Sequence, residues 1–172
     1  NSSNRKLRKQ ILNKFDIKEY ILPNKNLGYS KGHNYLSNKV DTKYILILNA
    51  DCQIDENNIK NLLQSLKKYP DCGVISPTTF NDKFEHTYNG GLFFENENQI
   101  EITEISGDTC FQTILGAAML IEKKFFIDIG KFNENMFLFF SDYDLCKKIR
   151  NSNRSVIQSK SAEAFHIHGN SK

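Results

Sequence analysis

Asp51 is the residue of this sequence whose surroundings most clearly suggest chemistry, because it follows a run of aliphatic residues. That run, Ile45-Leu46-Ile47-Leu48, leads directly into Asn49-Ala50-Asp51. Such a run is typical of a strand buried on both faces in a parallel sheet, and ligands of open α/β sheets bind outside the carboxyl ends of the strands. Asp51 could hold Mg²⁺ or Mn²⁺ there, together with substrate phosphates and water. It could equally cap the following turn, and spacing alone leaves both interpretations open.

Asp142 is a second candidate, since it begins a predicted helix directly after the aromatic segment of residues 137–140. Asp144 follows two positions later, but residues two apart on a helix point in different directions, so the two acids are not expected to form one site. Ser141 and Asp144 match a capping box, which gives Asp144 a structural role at the helix N-terminus. Asp142 is therefore the better candidate for a general base.

Two histidines near the end of the sequence are candidate metal ligands. His166 and His168 are spaced i and i+2, so they share one side if the segment is extended. Neutral imidazole is a good ligand for a transition-type ion such as Mn²⁺, and we expect a functional role for at least one of the two. The sequence contains neither a GxGxxG motif nor a GxxxxGK motif, which argues against Rossmann dehydrogenases and P-loop NTPases.

The segments that would position these residues alternate between helix and strand, which predicts an α/β fold with a mostly parallel central sheet and helices on both faces. The predicted helices are one capped by Ser2 or Ser3 with Leu7, Ile11, Leu12 and Phe15 on its apolar face, a short one near residues 32–38, one capped by Asp55 and ended by Pro70, and one over residues 142–150. The predicted strands are residues 20–22, ended by Pro23, residues 45–48, residues 73–76, ended by Pro77, and residues 113–121.

Residues 78–110 lack this alternation, are largely polar and contain Gly90-Gly91. We expect hairpin-like excursions here that form a variable, acceptor-side region. The sequence has no internal repeat, low-complexity tract or Pro/Gly-rich linker, which indicates a single domain over residues 1–172.

Composition narrows the function classes further. The formal net charge of +3 is too small to indicate a nucleic-acid partner. A basic cluster near the N-terminus (Arg5, Lys6, Arg8 and Lys9) favours a solvated helix face over contact with an anionic membrane surface. The four cysteines match neither CxxC nor zinc-site spacings, which favours reduced, mostly buried thiols and a cytoplasmic location. No apolar run reaches the roughly 18 residues that span a bilayer.

In this order the segments resemble the family 2 glycosyltransferases of the GT-A fold, especially the branch of bacterial rhamnosyltransferase-like enzymes that build surface polysaccharides. The resemblance covers nearly the whole chain. The segments that carry it are Asn26-Leu27-Gly28 with Asn34, Asn49-Ala50-Asp51, Leu115-Gly116-Ala117-Ala118-Met119-Leu120, Ile129-Gly130-Lys131-Phe132-Asn133-Glu134, Phe139-Phe140-Ser141-Asp142-Tyr143-Asp144-Leu145, and His166 with Gly169 and Ser171.

The resemblance implies a role for each matching residue. Asp51 matches the last acid of the family's DXD-type motif, which holds the divalent metal, and His166 rather than His168 matches a metal-binding histidine. Asp142 matches the base that takes the proton from the acceptor hydroxyl. The positions implied to contact the nucleotide donor are Asn26, Gly28, His33, Asn34 and Asn49.

The implied reaction moves a sugar from a nucleotide-diphosphate donor to a glycan or lipid-linked glycan acceptor. A Mg²⁺ or Mn²⁺ ion would neutralise the leaving diphosphate. Attack by the acceptor hydroxyl from the opposite face, assisted by Asp142, would invert the anomeric centre. The expected location is the cytoplasm, with peripheral contact at the inner face of the plasma membrane as a further possibility.

Three departures from the family pattern qualify this expectation. Ser141 stands where the family has a Glu, and Asn49 stands at the first acid of the metal motif. Asn1-Ser2-Ser3 looks like the turn after the family's second strand, so we expect the first strand, the first helix and most of the second strand to be missing. An unpaired sheet edge would then favour dimerisation, and the isolated chain would have little activity.

Two other function classes compete with this interpretation. The Ser141 change and the expected truncation favour a non-catalytic remnant that keeps the fold as a binding or scaffolding module. A nucleotidyltransferase of similar layering is less well supported, because the sequence has no glycine-rich, basic triphosphate loop.

Overall fold

The protein is described by a computed structural model over residues 5–14, 17, 21, 23, 25–87, 90–93, 99–102 and 104–167. The helices in these ranges are α1 (Arg5–Lys14), α2 (Gly28–Ser37), α3 (Glu56–Lys68), α4 (Lys123–Asp128) and α5 (Ser141–Asn151). The strands in these ranges are β1 (Tyr44–Leu48), β2 (Cys52–Gln53), β3 (Cys72–Phe80), β4 (Gly90–Phe93), β5 (Gln99–Ile102), β6 (Thr109–Cys110), β7 (Thr113–Ile114), β8 (Ala118–Glu122) and β9 (Ser155–His166).

The main sheet has the order β1-β8-β3-β9-β2, and β6 pairs with β9 beside this path. Among the described pairs, β3 and β9 run parallel, whereas β1 with β8, β3 with β8, β2 with β9 and β6 with β9 run antiparallel. The α/β class is as predicted, but the pairing differs from the mostly parallel sheet that we expected. An apolar run indicates burial without specifying the neighbouring strand or its direction.

β1 shows the limit of that inference. Ile47 is buried, but Leu48 at the end of the strand is 37% exposed, and β8 is the neighbour that the described residues provide. β1 is therefore an edge strand within the described part of the chain. Both of its faces are covered as expected, since Ile45 and Ile47 pack in one core cluster and Leu46 packs, partly buried, against the other.

Helices cover both faces of the main sheet, as predicted. On one face Val74 and Val156 pack with Phe126 of α4 and Leu145 of α5, and on the other face Ile75 packs in a cluster with α3. The α3 residues in that second cluster are Leu62 and Leu66. Neighbouring residues of β3 point to opposite faces because side chains alternate along a strand. The two clusters hold the sheet rigid from both sides.

The predicted helix after Asp55 is confirmed. Asp55 accepts a hydrogen bond from the backbone nitrogen of Asn58 at 2.8 Å, and the helix ends at Lys68, before Pro70. By contrast, α2 begins at Gly28, four residues before the predicted start, and Gly28 has φ +70°, a left-handed value that glycine adopts readily.

Two predicted strands are also corrected, one in where it ends and one in its continuity. β3 continues through Pro77 to Phe80, and the register shifts between Pro77 and Thr78. Such an irregularity accommodates a residue that has no backbone N–H to donate. The predicted strand over residues 113–121 is divided into β7 and β8, with a turn at Gly116 between them.

Hairpin-like structure in residues 78–110 is confirmed where it is described. β4 pairs antiparallel with both β5 and β7 in a separate small sheet. Asp108 joins this region to the main sheet, since its carboxylate accepts from Ser159 Oγ at 3.1 Å, Lys160 N at 2.8 Å and Tyr69 Oη at 2.9 Å. The variable, acceptor-side role of this region stays a prediction.

Several predictions fall outside the described residues: the Ser2 or Ser3 cap, Tyr20 and Leu22 of the first predicted strand, and His168. No helix within the described ranges combines the length and apolarity that crossing a membrane requires.

Candidate functional site

Asp51 and His166, the two predicted metal ligands, are brought together by the pairing of β2 with β9. Cys52 lies opposite His166 in this ladder, and Ile167 N donates to Asp51 O at 3.0 Å. Asp51 Oδ1 is 3.3 Å from His166 Nε2, with side-chain exposures of 28% and 8%. Asp51 therefore reaches solvent while the imidazole beside it is almost fully buried.

The chain reaches this position through a turn that follows β1. Asn49 N donates to Ala117 O at 2.9 Å, which continues the β1–β8 ladder by one step. Cys52 N then donates to Asn49 O at 3.1 Å and closes the turn that carries Asp51. Two groups of backbone bonds, one from β8 and one from β9, thus fix Asp51, so its place does not depend on a flexible loop.

The Asp51–His166 pair fits a divalent ion by its chemistry and its spacing. Adjacent ligands of an octahedral ion bound at about 2.1 Å lie about 3 Å apart, close to the 3.3 Å between Oδ1 and Nε2. One carboxylate and one imidazole suit Mn²⁺ better than Mg²⁺, which prefers oxygen. No group of three His, Cys, Asp or Glu side chains in the described ranges could hold a metal. The pair would therefore need a diphosphate and water to complete the coordination.

Asp142 lies in the first turn of α5, and its carboxylate is held by backbone donors. Oδ2 accepts from Gly116 N at 3.0 Å, and Oδ1 accepts from Tyr143 N at 2.9 Å. The side chain remains partly exposed. Each oxygen uses one lone pair in these bonds, and a carboxylate oxygen has two. Asp142 can therefore accept a proton from an incoming hydroxyl without losing its support.

The predicted capping box at Ser141 and Asp144 is wrong. Phe140 is the N-cap, with φ +64° and no side-chain cap bond, and Ser141 is the first helical residue. Ser141 is buried and its hydroxyl lies 2.8 Å from that of Ser30. Asp144 does have a structural role, as predicted, because its Oδ2 lies 3.0 Å from Lys148 Nζ.

The tripeptide Leu115-Gly116-Ala117 connects the two halves of the site. Gly116 N holds Asp142, and Ala117 O, in the next residue, receives the bond from Asn49 N. Asp142 and the turn that carries Asp51 are therefore attached to adjacent residues. Asp51, His166 and Asp142 thus lie towards the end of the main sheet where β1 and β9 finish and β8 begins.

The predicted donor-contact residues around α2 make mostly internal contacts. Asn26 Oδ1 accepts from Gly28 N at 2.8 Å, and Gly28 is buried against Phe137. His33 packs edge-on against Tyr29, with 4.4 Å between ring centroids. Burial lowers the pKa of His33 to about 4, so its ring is neutral at pH 7.

Asn34, which is also predicted to contact the donor, makes internal hydrogen bonds. It is 3% exposed, and its amide nitrogen donates to Phe132 O at 2.9 Å and to Glu134 Oε1 at 3.2 Å. Its Oδ1 accepts from Phe132 N at 3.1 Å. These bonds commit both amide hydrogens to the loop at residues 132–134, so the geometry supports a structural role for Asn34 instead of a donor contact.

With this geometry in place, comparison with known proteins identifies the family. A model described as glycosyl transferase family 2 matches residues 1–130 of the 172 residues. The chain belongs to glycosyl transferase family 2. It is 26% identical over 184 aligned positions to the low-salt glycan biosynthesis hexosyltransferase Agl10 of Haloferax volcanii. That alignment covers 96% of this chain and 56% of the relative, so the chain spans about half the length of this curated protein.

A solved structure supports the expected architecture of this family 2 chain. The fold is similar to the crystal structure of GalNAc-T7 with UDP, GalNAc and Mn²⁺, with a TM-score of 0.68 and 12% identity, over 85% of this chain and 31% of that one. At this identity the likeness concerns the fold alone, and that fold is GT-A. The family match includes Asn49 and Asp51 but ends before Asp142 and His166, whose assignment therefore depends on their geometry.

Sequence reasoning missed two parts of the site. β9, which carries His166, was not predicted, because Gln158, Ser159, Lys160 and Ser161 interrupt its apolar pattern. Tyr29 was also missed, although its hydroxyl donates to Gly116 O at 2.7 Å. A tyrosine directly after a glycine that begins a helix carries no local signal of a contact so distant in the sequence.

Proposed function

We propose that this family 2 chain contributes the donor-metal and base residues of a glycosyltransferase that moves a hexose from a nucleotide-diphosphate sugar to a hydroxyl of a glycan or lipid-linked glycan acceptor. The proposed setting is surface-glycan synthesis at the cytoplasmic face of the membrane. The observation that carries the proposal is the placement of Asp51 beside His166, at the same end of the sheet as Gly116, whose backbone nitrogen holds Asp142. The relative named as a hexosyltransferase supports the sugar class.

The residues divide the chemistry between them. Asp51 and His166 would hold a divalent ion, which when bound neutralises charge on the donor's diphosphate. Asp142 accepts the proton of the attacking hydroxyl as the new bond to the anomeric carbon forms. The bond between that carbon and the diphosphate oxygen breaks on the opposite side, and the diphosphate leaves with the electron pair. A single displacement of this kind inverts the anomeric centre.

A non-catalytic binding module is the alternative, and Ser141 favours it. Ser141 replaces the family's Glu, and its hydroxyl is buried against Ser30. It therefore cannot orient an acceptor as an exposed acid could. A remnant of this kind would keep the fold and lose the reaction.

Calorimetry with the full-length protein separates the two. The probes are UDP, GDP, dTDP and CDP, each with and without Mn²⁺. We expect one nucleotide to bind in a Mn²⁺-dependent way and Asp51→Asn to weaken that binding by about tenfold or more. The matched control is Asp41→Asn, which changes an exposed carboxylate just before β1 and should leave binding unchanged.

Asp142→Asn distinguishes binding from catalysis. This variant should bind the same nucleotide as the unmodified protein and lose about 10²- to 10⁴-fold in turnover of the matching sugar nucleotide, the range typical of a lost general base. Binding without turnover in the unmodified protein would support the remnant. Failure of every nucleotide to bind would overturn the proposal.

A further inference from the structure

We infer that Tyr29 is a positioning residue for Asp142, acting through the backbone of Gly116. This inference deepens the proposed function, since it concerns how the base of that same site is held. It also changes the role of the Asn26-Leu27-Gly28 segment. That segment, expected to contact the donor, instead supports the acceptor side of the site through the residue that follows it.

Two hydrogen bonds connect Tyr29 to the base. Tyr29 Oη donates to Gly116 O at 2.7 Å, and Gly116 N donates to Asp142 Oδ2 at 3.0 Å. The Tyr29 hydroxyl therefore holds the carbonyl of Gly116, and the amide of Gly116 holds the Asp142 carboxylate. Because a glycine without such support has more backbone freedom than any other residue, loss of the first bond should loosen the second.

Close packing around Gly116 shows that the three residues form one unit. A Cβ at position 116 would lie 2.9 Å from Tyr29 Oη, 3.1 Å from Asp142 Cβ and 3.2 Å from Asp142 Oδ2. No side chain fits between the phenol and the carboxylate without moving one of them. The contact thus requires glycine for its small size, and Tyr29 and Asp142 both lie against it.

The electrostatic environment keeps the Tyr29 hydroxyl in its donating form. Burial, followed by the negative charge of Asp142, raises the pKa of Tyr29 well above its ordinary value. The phenol consequently retains its proton over the working range of the protein. A partly buried carbonyl that loses such a donor is left unsatisfied, which disfavours this arrangement of the Gly116 backbone.

Neighbouring contacts hold the first turn of α2 in place, so Tyr29 is itself positioned. Tyr29 N donates to Phe137 O at 2.7 Å, and Ser30 Oγ lies 2.8 Å from Ser141 Oγ. A Cβ on Gly28 would lie 2.5 Å from Phe137 O. The start of α2 is therefore pressed against the segment that leads into α5, just before Asp142.

The first test measures the Gly116 amide and needs no activity. Hydrogen exchange of this amide, followed by NMR, should be at least about tenfold faster in Tyr29→Phe than in the unmodified protein, because loss of the phenol bond frees the peptide. Asp142→Ala, which removes the acceptor, should show a similar increase. Tyr35→Phe is the matched control, since Tyr35 lies on the same helix with an exposed side chain, and it should leave the rate unchanged.

The second test measures nucleoside diphosphate release from UDP-glucose, UDP-N-acetylglucosamine, GDP-mannose and dTDP-rhamnose with Mn²⁺, in the full-length protein. For the donor that is turned over, Tyr29→Phe should lower kcat about tenfold with KM for the donor unchanged. A merely structural role would instead lower the melting temperature and leave kcat per folded molecule intact. Tyr35→Phe should match the unmodified protein in both respects.

The outcomes separate this inference from the proposed function. If Asp142→Asn abolishes turnover while Tyr29→Phe has normal kcat and normal Gly116 exchange, the inference is wrong and the proposed function stands. If Tyr29→Phe accelerates Gly116 exchange but Asp142→Asn has full turnover, Tyr29 positions Asp142 as inferred and Asp142 is not the base. Unchanged Gly116 exchange in Tyr29→Phe would overturn the inference whatever the activity.

Discussion

Asp51 and Asp55 are two acids four positions apart in the sequence, and their environments in the fold give them different roles. Asp55 caps α3 through Asn58 N at 2.8 Å. Asp51, for which a cap was also considered, instead directs its carboxylate to His166 at 3.3 Å. The difference arises from β9, a strand distant in sequence, which places an imidazole beside Asp51. Local spacing could predict the cap but not the pair.

His33 provides a prediction about pH at the residue scale. Burial lowers its pKa from 6.5 to about 4 in the folded protein. The unfolded chain therefore binds the proton more readily as the pH falls below 6.5, and the folded state loses stability between pH 6.5 and about 4. His33→Phe keeps the ring contacts with Tyr29 and Phe132 and removes the titration, so its stability should depend less steeply on pH.

Urea unfolding of both proteins at pH 7 and pH 5 checks this prediction. The free energy of unfolding should fall more between the two pH values in the unmodified protein than in His33→Phe. Parallel losses in the two proteins would show that His33 does not carry the dependence.

Among helices and strands, the sequence predicted an element most accurately where its capping and terminating residues agreed with its apolar face. α3 has a capping Asp55, a closing Pro70 and an apolar stripe, and it forms as predicted. β9 has none of these and was missed, although it is the longest described strand. Its polar residues are accommodated by partners elsewhere, such as Ser159 bonded to Asp108. Tertiary contacts of this kind cannot be inferred from the strand's own sequence.

The segment before α5 allows a prediction about backbone strain. Phe140 adopts φ +64°, a left-handed conformation that costs a non-glycine residue about 1 kcal/mol, and its side chain is 73% exposed. Phe140→Gly should therefore leave the free energy of unfolding unchanged or raise it by up to about 1 kcal/mol. Thermal or urea unfolding measures the difference.

Phe139→Gly is the control for this prediction. Phe139 is 75% exposed like its neighbour but does not have a positive φ. A glycine there should lower stability by about 0.5–1 kcal/mol, because it only increases the freedom of the unfolded chain. Equal destabilisation by both variants would contradict the strain at Phe140.

At the scale of the whole molecule, the order of motifs along the chain predicted the GT-A fold, whereas the pairing of strands was not predictable. Motif order reflects common ancestry with the family over residues 1–130. Strand direction depends on which segments meet in three dimensions, as when β1 pairs antiparallel with β8. The sequence alone predicted which residue types belong to the candidate site. It is the pairing of strands that brings those residues together.

Thiol accessibility tests the overall packing. Cys110 is exposed, whereas Cys52 in β2 and Cys146 in α5 are buried, and Cys72 is intermediate. Burial also raises the pKa of Cys52 and of Cys146 to about 11, which further slows their reaction. We expect brief treatment with N-ethylmaleimide to label Cys110 first and to reach Cys52 and Cys146 after unfolding.

Mass spectrometry of the labelled peptides measures the order. The same treatment in urea should label all four cysteines equally and serves as the reference. Labelling of Cys146 in the folded protein as fast as Cys110 would be inconsistent with the described core.

The position of β9 in the chain has a consequence for synthesis on the ribosome. β2, β3 and β6 all pair with it, yet it is the last described strand to be translated. At about 5–20 residues per second, β3 waits several seconds for its parallel partner. During that interval the edge of β3 that later pairs with β9 has no partner strand, and Asp51 has no His166 beside it. Slow codons between α5 and β9 would lengthen this exposure, so the yield of folded protein should be most sensitive to translation speed in that stretch of the message.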